Sequence, residues 1–212
     1  MAVLRFARND LGICLVCWLL LAACSSPAAA PPKPTPAPTI PPPSLAPTVD
    51  PFFASQGGGE PRTAGYWLAW NSCAEDNKSD VAAANGGREA GWIILDDLLQ
   101  DPGILLGNLS VETCPQGISL LRVDDFQGED RAGDAAYELA AQLLVAQINL
   151  AAGAEYCPAV DEAVQAGQLL LLSLHFNGSG DVQGLEQSSQ NQDVALFLIQ
   201  QLSAYNVGTL CQ

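Results

Sequence analysis

The amino-acid sequence predicts a mainly α domain: an irregular, disulfide-stabilised bundle of four to five helices with a short extended segment. Three observations predict this fold. Apolar residues recur at steps of three and four along the C-terminal two thirds of the chain, which is the period of an amphipathic helix. Residues that favour helix ends flank these stretches. The cysteines beyond the N-terminal segment form an even set, which is typical of disulfides in exported domains.

The clearest helix is predicted at residues 132–153. Asp130 and Asp134 lie at its start, where a carboxylate stabilises the positive end of the helix dipole. Gly153 is placed to end the helix, because glycine readily adopts the left-handed conformation that follows a last turn. The predicted apolar face consists of Ala136, Leu139, Ala140, Leu143, Leu144, Ile148 and Ala151.

Further helices complete the predicted bundle. One of them opens with Pro158, and proline is favoured in a first helical turn. Another follows Thr113, whose spacing to Gln116 matches a capping box. Residues 103–112 alternate weakly and predict a short hairpin or extended arm. The further predicted helices are 89–100, 115–123, 158–174 and 193–205.

The domain is predicted to contain two disulfides. Three of the seven cysteines lie at or before position 24, and the four that remain allow three pairings. Neighbouring helices with a short connection usually pack antiparallel. This places Cys157, before one helix, near Cys211, after the next, so that Cys73 pairs with Cys114. Zinc is the alternative ligand, but no two of these cysteines have the close spacing of a zinc site.

Residues 1–23 have the pattern of a secretory signal peptide. Arg5 and Arg8 precede an apolar stretch, as in such peptides, and the stretch is shorter than the about 20 residues of a membrane-spanning helix. It ends in Leu21-Ala22-Ala23-Cys24, which resembles the lipobox of bacterial lipoproteins. The resemblance implies cleavage before Cys24 and a lipid on its thiol. An ordinary secreted protein is the alternative.

Residues 24–62 are predicted to be a disordered tether between the lipidated cysteine and a globular domain at 63–212. Eleven of the fifteen prolines lie between Pro27 and Pro51, and proline lacks the backbone donor that helices and sheets need. About 30 residues of extended, polyproline-like chain reach on the order of 90 Å. The tether is therefore expected to hold the domain clear of the lipid.

The charge of the chain limits its partners. Its 23 acidic residues against eight lysines and arginines give a formal net charge of −15. Nucleic acids and anionic lipids are both bound through clusters of Lys and Arg, so neither is expected as a partner. The expected link to a membrane is the lipid on Cys24, on the extracytoplasmic side of the bacterial cell envelope. Ser25 is not the Asp that often retains lipoproteins at the inner membrane, which is compatible with the outer membrane or outer surface.

The acidic loop at 124–130 is the candidate metal site. Asp124, Asp125, Glu129 and Asp130 lie around a glycine and offer the oxygen ligands that calcium prefers in a flexible loop. Their spacing is not that of an EF-hand. A solvated loop whose acids cap the following helix is the simpler explanation, so the sequence predicts no cofactor and leaves calcium as the alternative.

Tyr66, Trp67 and Trp70 form an aromatic cluster beside the tether. Aromatic side chains in a row can stack on sugars or anchor a protein partner. Trp67 and Trp70 are three residues apart, so both rings can also lie on one helix face and fill the interior of the bundle. The sequence favours this second role and leaves partner binding as the alternative.

Several short blocks lie in order along residues 65–206. They are Gly65-Tyr66-Trp67, Gly133-Asp134-Ala135, Asn149-Leu150-Ala151, Gly153-Ala154 and Leu202-Ser203-Ala204-Tyr205-Asn206. Together they resemble a family of uncharacterised helical modules of secreted bacterial proteins, which open with Gly-Tyr-Trp or Gly-Phe-Trp followed by Lys and an Asn-His or Thr-His pair. Leu68-Ala69-Trp70 replace the Lys and His positions here. The resemblance implies a secreted, mostly helical fold and no established activity.

The sequence contains no clear catalytic signature. His175 is the single histidine, and its apolar neighbours indicate a helix-end residue rather than a member of a catalytic triad. The remaining cysteines are expected to be oxidised and therefore not nucleophilic. These features favour a membrane-anchored, surface-displayed, non-catalytic module for envelope structure or for binding an unknown protein or glycan. A secreted hydrolase that uses carboxylates, with or without calcium, is the alternative.

Overall fold

The computed structural model describes residues 59–100, 102–180, 182 and 188–212. Within these residues the protein is mainly helical, with seven α-helices and one two-stranded sheet, and two cysteine pairs lie at disulfide distance. This confirms the predicted fold class. The predicted signal peptide, Cys24 and most of the predicted tether lie outside the described residues.

Among the described residues, no helix is both long and apolar enough to cross a membrane. In chain order the described elements are α1 (Ala64–Ala69), α2 (Ser79–Ala84), a 3-10 helix (Gly87–Ala90), α3 (Leu95–Leu99), β1 (Ile104–Leu106), β2 (Leu109–Val111), α4 (Cys114–Leu121), α5 (Ala135–Ala151), α6 (Pro158–Ser173) and α7 (Ser189–Asn206).

Helix α5 forms the centre of the core. Its start is capped by Asp134, whose carboxylate accepts a hydrogen bond from the Ala136 N–H at 2.9 Å and so satisfies one of the free donors of the first turn. Helices α4, α6 and α7 pack around it. Fourteen of its 17 residues are buried, more than the single predicted face, because a helix that is apolar nearly all round is stable only in an interior.

Helices α6 and α7 pack against each other and against α5. Helix α6 begins at Pro158, as predicted. Helix α7 begins before its predicted start at 193, because the Ser188 hydroxyl caps it by accepting a hydrogen bond from the Asn191 N–H at 3.3 Å. The buried stripe of α7 follows the helical period and consists of Ala195, Leu198, Leu202 and Tyr205.

Two disulfides link the ends of the helices, in the pairing that the helix arrangement predicts. Cys157, just before α6, is bonded to Cys211, which follows α7. Cys73, in the segment after α1, is bonded to Cys114 at the start of α4. A disulfide stabilises mainly by restricting the unfolded chain, and the sequence separations of 54 and 41 residues correspond to about 4 kcal/mol each.

The predicted helix at 89–100 is interrupted. The chain forms a 3-10 helix up to Ala90, then Gly91 adopts φ 84° and ends it. A new helix, α3, starts after Ile94, whose N–H donates to the Asp97 carboxylate at 3.0 Å. Glycine in the left-handed conformation and a carboxylate that caps a new first turn both oppose a continuous helix here. Helices α1 and α2, of six residues each, are not predicted by the apolar periodicity.

The weakly alternating stretch forms a β-hairpin, with Leu106 opposite Leu109 across its turn. Two buried glutamines hold it on the bundle. Gln147 and Gln168 both donate side-chain N–H groups to the Leu105 carbonyl, at 2.8 and 2.6 Å. The Gln168 carbonyl oxygen accepts the Gly107 N–H at 2.6 Å. The hairpin is therefore part of the packed domain rather than a free arm.

Candidate functional site

Asn149 joins the beginning of the domain to its centre. Its side-chain oxygen accepts hydrogen bonds from the Trp67 indole N–H at 3.1 Å and from the Arg62 backbone N–H at 3.0 Å. Its side-chain nitrogen donates to the Arg62 carbonyl at 2.8 Å and to the Asn206 side-chain oxygen at 3.2 Å. All four hydrogen-bonding positions of this buried amide are therefore occupied. Trp67 is only 1% exposed and fills the interior, the role that the sequence favours for it.

The first described residues pair with the segment that follows α5. The Gly59 N–H donates to the Gly153 carbonyl, and the Glu155 N–H donates to the Gly59 carbonyl, both at 3.2 Å. Four of the blocks that carry the family resemblance meet around these contacts and around Asn149. The chain is thus ordered upstream of the predicted domain start at 63, and its first residues form one wall of a surface pocket.

Three aromatic rings form a partly exposed surface on the same side of the domain. Tyr66 and Trp70 are stacked with ring centroids 5.9 Å apart and planes at 25°. Trp92 lies against Trp70 at 5.4 Å and 34°. Tyr66 and Trp70 are half-buried, and Trp92 is 38% exposed. Tyr66, Trp70 and Trp92 are called the aromatic surface below.

Two cations border the aromatic surface. The Arg62 guanidinium carbon lies 5.1 Å from the centroid of Tyr66. The Lys78 ammonium lies 5.5 Å from the centroid of Trp70. Both side chains belong to exposed residues, and both are close enough for attraction between a cation and the negative face of a ring. Charged hydrogen-bond donors therefore lie directly beside apolar ring faces.

A pocket of about 160 Å³ adjoins the aromatic surface and shares Tyr66 with it. Gly91 and Ile93, on either side of Trp92, line the pocket as well. The opposite side is made by residues near the end of α5 and by the first described residues of the chain. These further lining residues are Gly59, Glu60, Arg62, Trp67, Asn149, Ala152, Gly153 and Ala154.

The aromatic surface differs in one member from the predicted aromatic cluster. Trp67 belongs to the core, whereas Trp92 takes part in the surface. No local pattern links Trp92 to Trp70, because the two lie on segments that meet only in the fold, where the Leu95 N–H donates to the Trp70 carbonyl at 2.8 Å. Gly91 directly before Trp92 is the signal in the sequence that could have marked a break in the predicted helix at 89–100 and so an exposed ring.

In the acidic loop, Asp125 is buried and fully hydrogen-bonded. One carboxylate oxygen accepts the backbone N–H groups of Gln127 and Glu129 at 2.9 and 3.0 Å. The other accepts Arg131 through Nε at 3.0 Å and Nη2 at 2.6 Å. Burial opposes the charged form, but the hydrogen bonds from Glu129, Arg131 and Gln127 outweigh it and lower the pKa of Asp125 to about 2.

The other acids of the loop have local roles. The Asp130 carboxylate accepts the Ala132 N–H at 2.8 Å, and Glu129 forms an exposed ion pair with Arg131 at 3.0 Å. Asp124 pairs with Asp130 through the backbone. In the described part of the chain, no three His, Cys, Asp or Glu side chains are grouped as a metal site would require. Calcium binding by Asp124, Asp125, Glu129 and Asp130 remains a hypothesis that needs a direct measurement.

His175 lies at the exposed end of α6. Its φ is 52°, and its backbone N–H donates to the Leu172 carbonyl at 3.1 Å. Among the described residues, no hydrogen bond connects its ring to a serine, a cysteine or a carboxylate. This position is that of a residue that ends a helix, as the sequence indicates.

Comparison with known protein families, with curated proteins and with solved structures finds no match. The resemblance to the helical modules of secreted bacterial proteins therefore stays a prediction. Function has to be inferred from the geometry and chemistry of the aromatic surface, the pocket and the predicted anchor.

Proposed function

We propose that the protein is a lipid-anchored, non-catalytic module of the bacterial cell envelope that binds a partner through its aromatic surface. The observation that carries the proposal is the set of three large rings, partly exposed and in mutual contact, beside a surface pocket. Trp, Tyr and Arg are the side chains that most often dominate binding energy in interfaces. Arg62, Tyr66, Trp70 and Trp92 bring all three types together at one place.

The aromatic surface is held rigidly, which supports a binding role. Trp67 on α1 is fixed by its hydrogen bond to Asn149. The Cys73–Cys114 disulfide ties the segment after α1 to α4, and Ser72 on this segment hydrogen-bonds to Asp96 on α3. A site whose side chains are already placed loses less conformational entropy when a ligand binds.

Trp92 has no evident structural purpose, which also supports the proposal. It lies outside the helices, and more than a third of its surface is in contact with water. Large exposed aromatic side chains that adjoin other apolar groups often mark interaction sites. Trp67, by contrast, is buried in the core.

The predicted N-terminal signal peptide and lipid anchor support a location in the cell envelope. A lipid on Cys24 anchors the chain, and the proline-rich residues that follow place the domain up to on the order of 90 Å from the anchor. The aromatic surface lies next to the first described residues, at the end of the domain where the tether joins it. The proposed partner is therefore an envelope component that lies within this distance of the anchoring membrane.

The binding proposal is tested with detergent-solubilised full-length protein and isolated envelope fragments. We expect Trp92→Ala to lower retention on the fragments by about tenfold or more, the effect of losing a hot-spot aromatic. Phe197→Ala is the matched control, because Phe197 is an exposed aromatic residue on α7 (58% exposed) outside the aromatic surface. Equal retention of wild type and Trp92→Ala would contradict the proposal.

The anchoring proposal is tested separately by incorporation of labelled fatty acid in growing cells. We expect wild-type chain to carry the label and Cys24→Ser to carry none, because the thiol of Cys24 is the predicted attachment point. Cys17→Ser removes a cysteine within the predicted signal peptide and should leave the label in place. Labelled Cys24→Ser protein would exclude a lipid on this residue.

The alternative, a hydrolase that uses carboxylates, finds little support in the acidic loop. A general acid needs a pKa raised towards the working pH, whereas the pKa of Asp125 is lowered to about 2. One oxygen of Asp125 already accepts hydrogen bonds from backbone N–H groups of the acidic loop, and the other accepts them from Arg131.

A further inference from the structure

We propose that Asn177 is a site of spontaneous modification, at which its side-chain amide is converted to a carboxylate. The backbone nitrogen of Gly178 loses its proton and attacks the side-chain carbonyl carbon of Asn177. A succinimide ring forms, and the amide nitrogen takes up a proton and leaves as ammonia. Water then opens the ring at one of its two C–N bonds and leaves either aspartate or isoaspartate. The reaction needs no enzyme and does not depend on the partner of the aromatic surface.

Glycine after asparagine is the arrangement in which this reaction is fastest, because glycine has no side chain to keep the reacting groups apart. Two such pairs, Asn85-Gly86 and Asn177-Gly178, lie in the chain. Both asparagines are exposed. The residue types and the exposure therefore do not separate the two positions, whereas the hydrogen bonds around each pair do.

The hydrogen bonds around Asn177 favour the reaction. Its side-chain oxygen accepts the Ser179 backbone N–H at 3.0 Å. This oxygen gains negative charge when the carbonyl carbon is attacked, and a donor that is already in place stabilises such a charge. In the described part of the chain, neither the Gly178 N–H nor the side-chain N–H groups of Asn177 donate to a protein acceptor. No protein hydrogen bond therefore has to break at the attacking or at the leaving nitrogen.

The hydrogen bonds around Asn85 oppose the reaction. Asn85 directly follows α2, and its side-chain nitrogen donates to the Val81 carbonyl at 2.7 Å. The Gly86 N–H donates to the Ala83 carbonyl at 3.1 Å. Both bonds have to break before the nucleophile and the leaving group can react, and the net strength of two such bonds corresponds to a rate that is about tenfold lower or less.

The modified residue lies where two loops are in contact. The Gly178 carbonyl accepts the Phe126 N–H at 2.9 Å, and the Gln127 side chain donates to the Ser179 hydroxyl at 3.3 Å. A Cβ atom placed on Gly178 would overlap the Phe126 ring. Isoaspartate lengthens the backbone by one methylene group directly before this packed glycine, and either product adds a negative charge close to the acidic loop. We therefore expect the conversion to weaken the contact with Phe126 and to destabilise the domain.

The test incubates detergent-solubilised full-length protein at mildly alkaline pH in water labelled with a heavy oxygen isotope. Peptide mass spectrometry then measures incorporation of the isotope at each asparagine, which excludes conversion during the later digestion. We expect Asn177 to convert about ten times faster than Asn85 in the folded protein, and both to convert at similar rates in denaturant. Asn177→Gln should stay unconverted, since its larger ring closes more slowly, and Asn85→Gln should leave the rate at Asn177 unchanged.

Gly178 is itself buried. Conversion of Asn177 in denaturant but not in the folded protein would show that this burial blocks the reaction, and it would overturn the proposal. Equal rates at Asn177 and Asn85 in the folded protein would overturn the selectivity assigned to the hydrogen bonds. Thermal unfolding after incubation measures the effect on packing: wild type should lose melting temperature with time and Asn177→Gln should not. Equal losses would contradict the expected weakening of the contact with Phe126.

Discussion

At the scale of single residues, Asn149 holds the domain's first segment to its core. Its side chain makes four hydrogen bonds, two of them to the backbone of Arg62 and one to the Trp67 indole. A buried donor that loses its partner costs about 1–3 kcal/mol. We expect Asn149→Ala to lower the free energy of unfolding by about 2–4 kcal/mol, since it strands both an indole and a backbone N–H.

Chemical denaturation measures this change. Gln200→Ala, on the exposed side of α7, is the matched amide control and should change stability by less than about 0.5 kcal/mol. An Asn149→Ala protein as stable as Gln200→Ala would mean that water replaces the lost bonds and that Asn149 is not a structural junction.

Asp125 couples the stability of the domain to pH. Its pKa is lowered from 3.8 to about 2 in the folded protein, so the folded state favours the ionised form. The ionised Asp125 stabilises the folded state fully at pH values above its pKa in the unfolded chain, which is near 4. This stabilisation is lost as the pH falls towards 2, the pKa in the folded protein. We expect Asp125→Asn to be less stable than wild type at neutral pH and the difference to shrink below pH 4.

Unfolding by denaturant at a series of pH values measures the difference between the two proteins. Asp193→Asn, at an exposed position on α7, provides the comparison for an acid outside the loop. A difference between wild type and Asp125→Asn that stayed constant from pH 7 to pH 2 would show that the charge of Asp125 is not its cause.

At the scale of elements, the hairpin depends on a glycine at close approach to α6. Gly107 has φ 65° and lies so near the helix that a Cβ atom there would be 2.7 Å from the backbone nitrogen of Leu172. We expect Gly107→Ala to lower the free energy of unfolding by about 1–2 kcal/mol for the left-handed conformation and by about 1–3 kcal/mol more for the overlap with α6.

The control for Gly107→Ala separates these two costs. Gly180 has the same φ of 65°, with no atom within 4 Å of a Cβ placed there, so Gly180→Ala should show only the conformational cost. Thermal or denaturant unfolding of both variants gives the comparison. Equal effects would mean that the hairpin moves away from α6 without loss of stability.

The elements differ in how well local pattern predicts them. Helices α5 and α6 follow their predicted ranges closely, because their signals are local. The apolar residues recur at every turn of the helix, and Asp134 and Pro158 each favour a helix start at their own position. The predicted helix at 89–100 is divided, because Gly91 and the hydrogen bond between Ile94 and Asp97 favour a break that the apolar pattern does not contain. Helix α1 is too short for a period to be recognised, and its Trp67 depends on a partner on α5.

At the scale of the whole molecule, the many acidic residues make calcium binding a hypothesis to be tested. The oxygens of Asp125 are occupied by backbone donors of the acidic loop and by Arg131, so we expect the melting temperature of the full-length protein to be the same in EDTA and in millimolar calcium. A specific site at about a hundred times its Kd would add about 2.7 kcal/mol, a rise of roughly 5–10 °C in a domain of this size.

A rise of that size would revive the calcium hypothesis, and Asp124→Ala and Asp130→Ala would then locate it. If those variants abolish the rise, the acidic loop rearranges to bind the ion. Asp193→Ala, outside the loop, should leave any rise unchanged.

The sequence by itself determined the helical class, the main helices and the two disulfides, because these follow from contacts within a turn or between consecutive helices. The tertiary structure alone decided which aromatic rings are buried and which are exposed. Trp67 packs in the hydrophobic core, where Asn149, 82 residues away, accepts its indole N–H. Trp92 meets Trp70 only through the fold of the intervening segment. The period of apolar residues predicts which face of an element is buried. It does not predict which distant residues pack against that face, and the candidate site is formed by contacts of this kind.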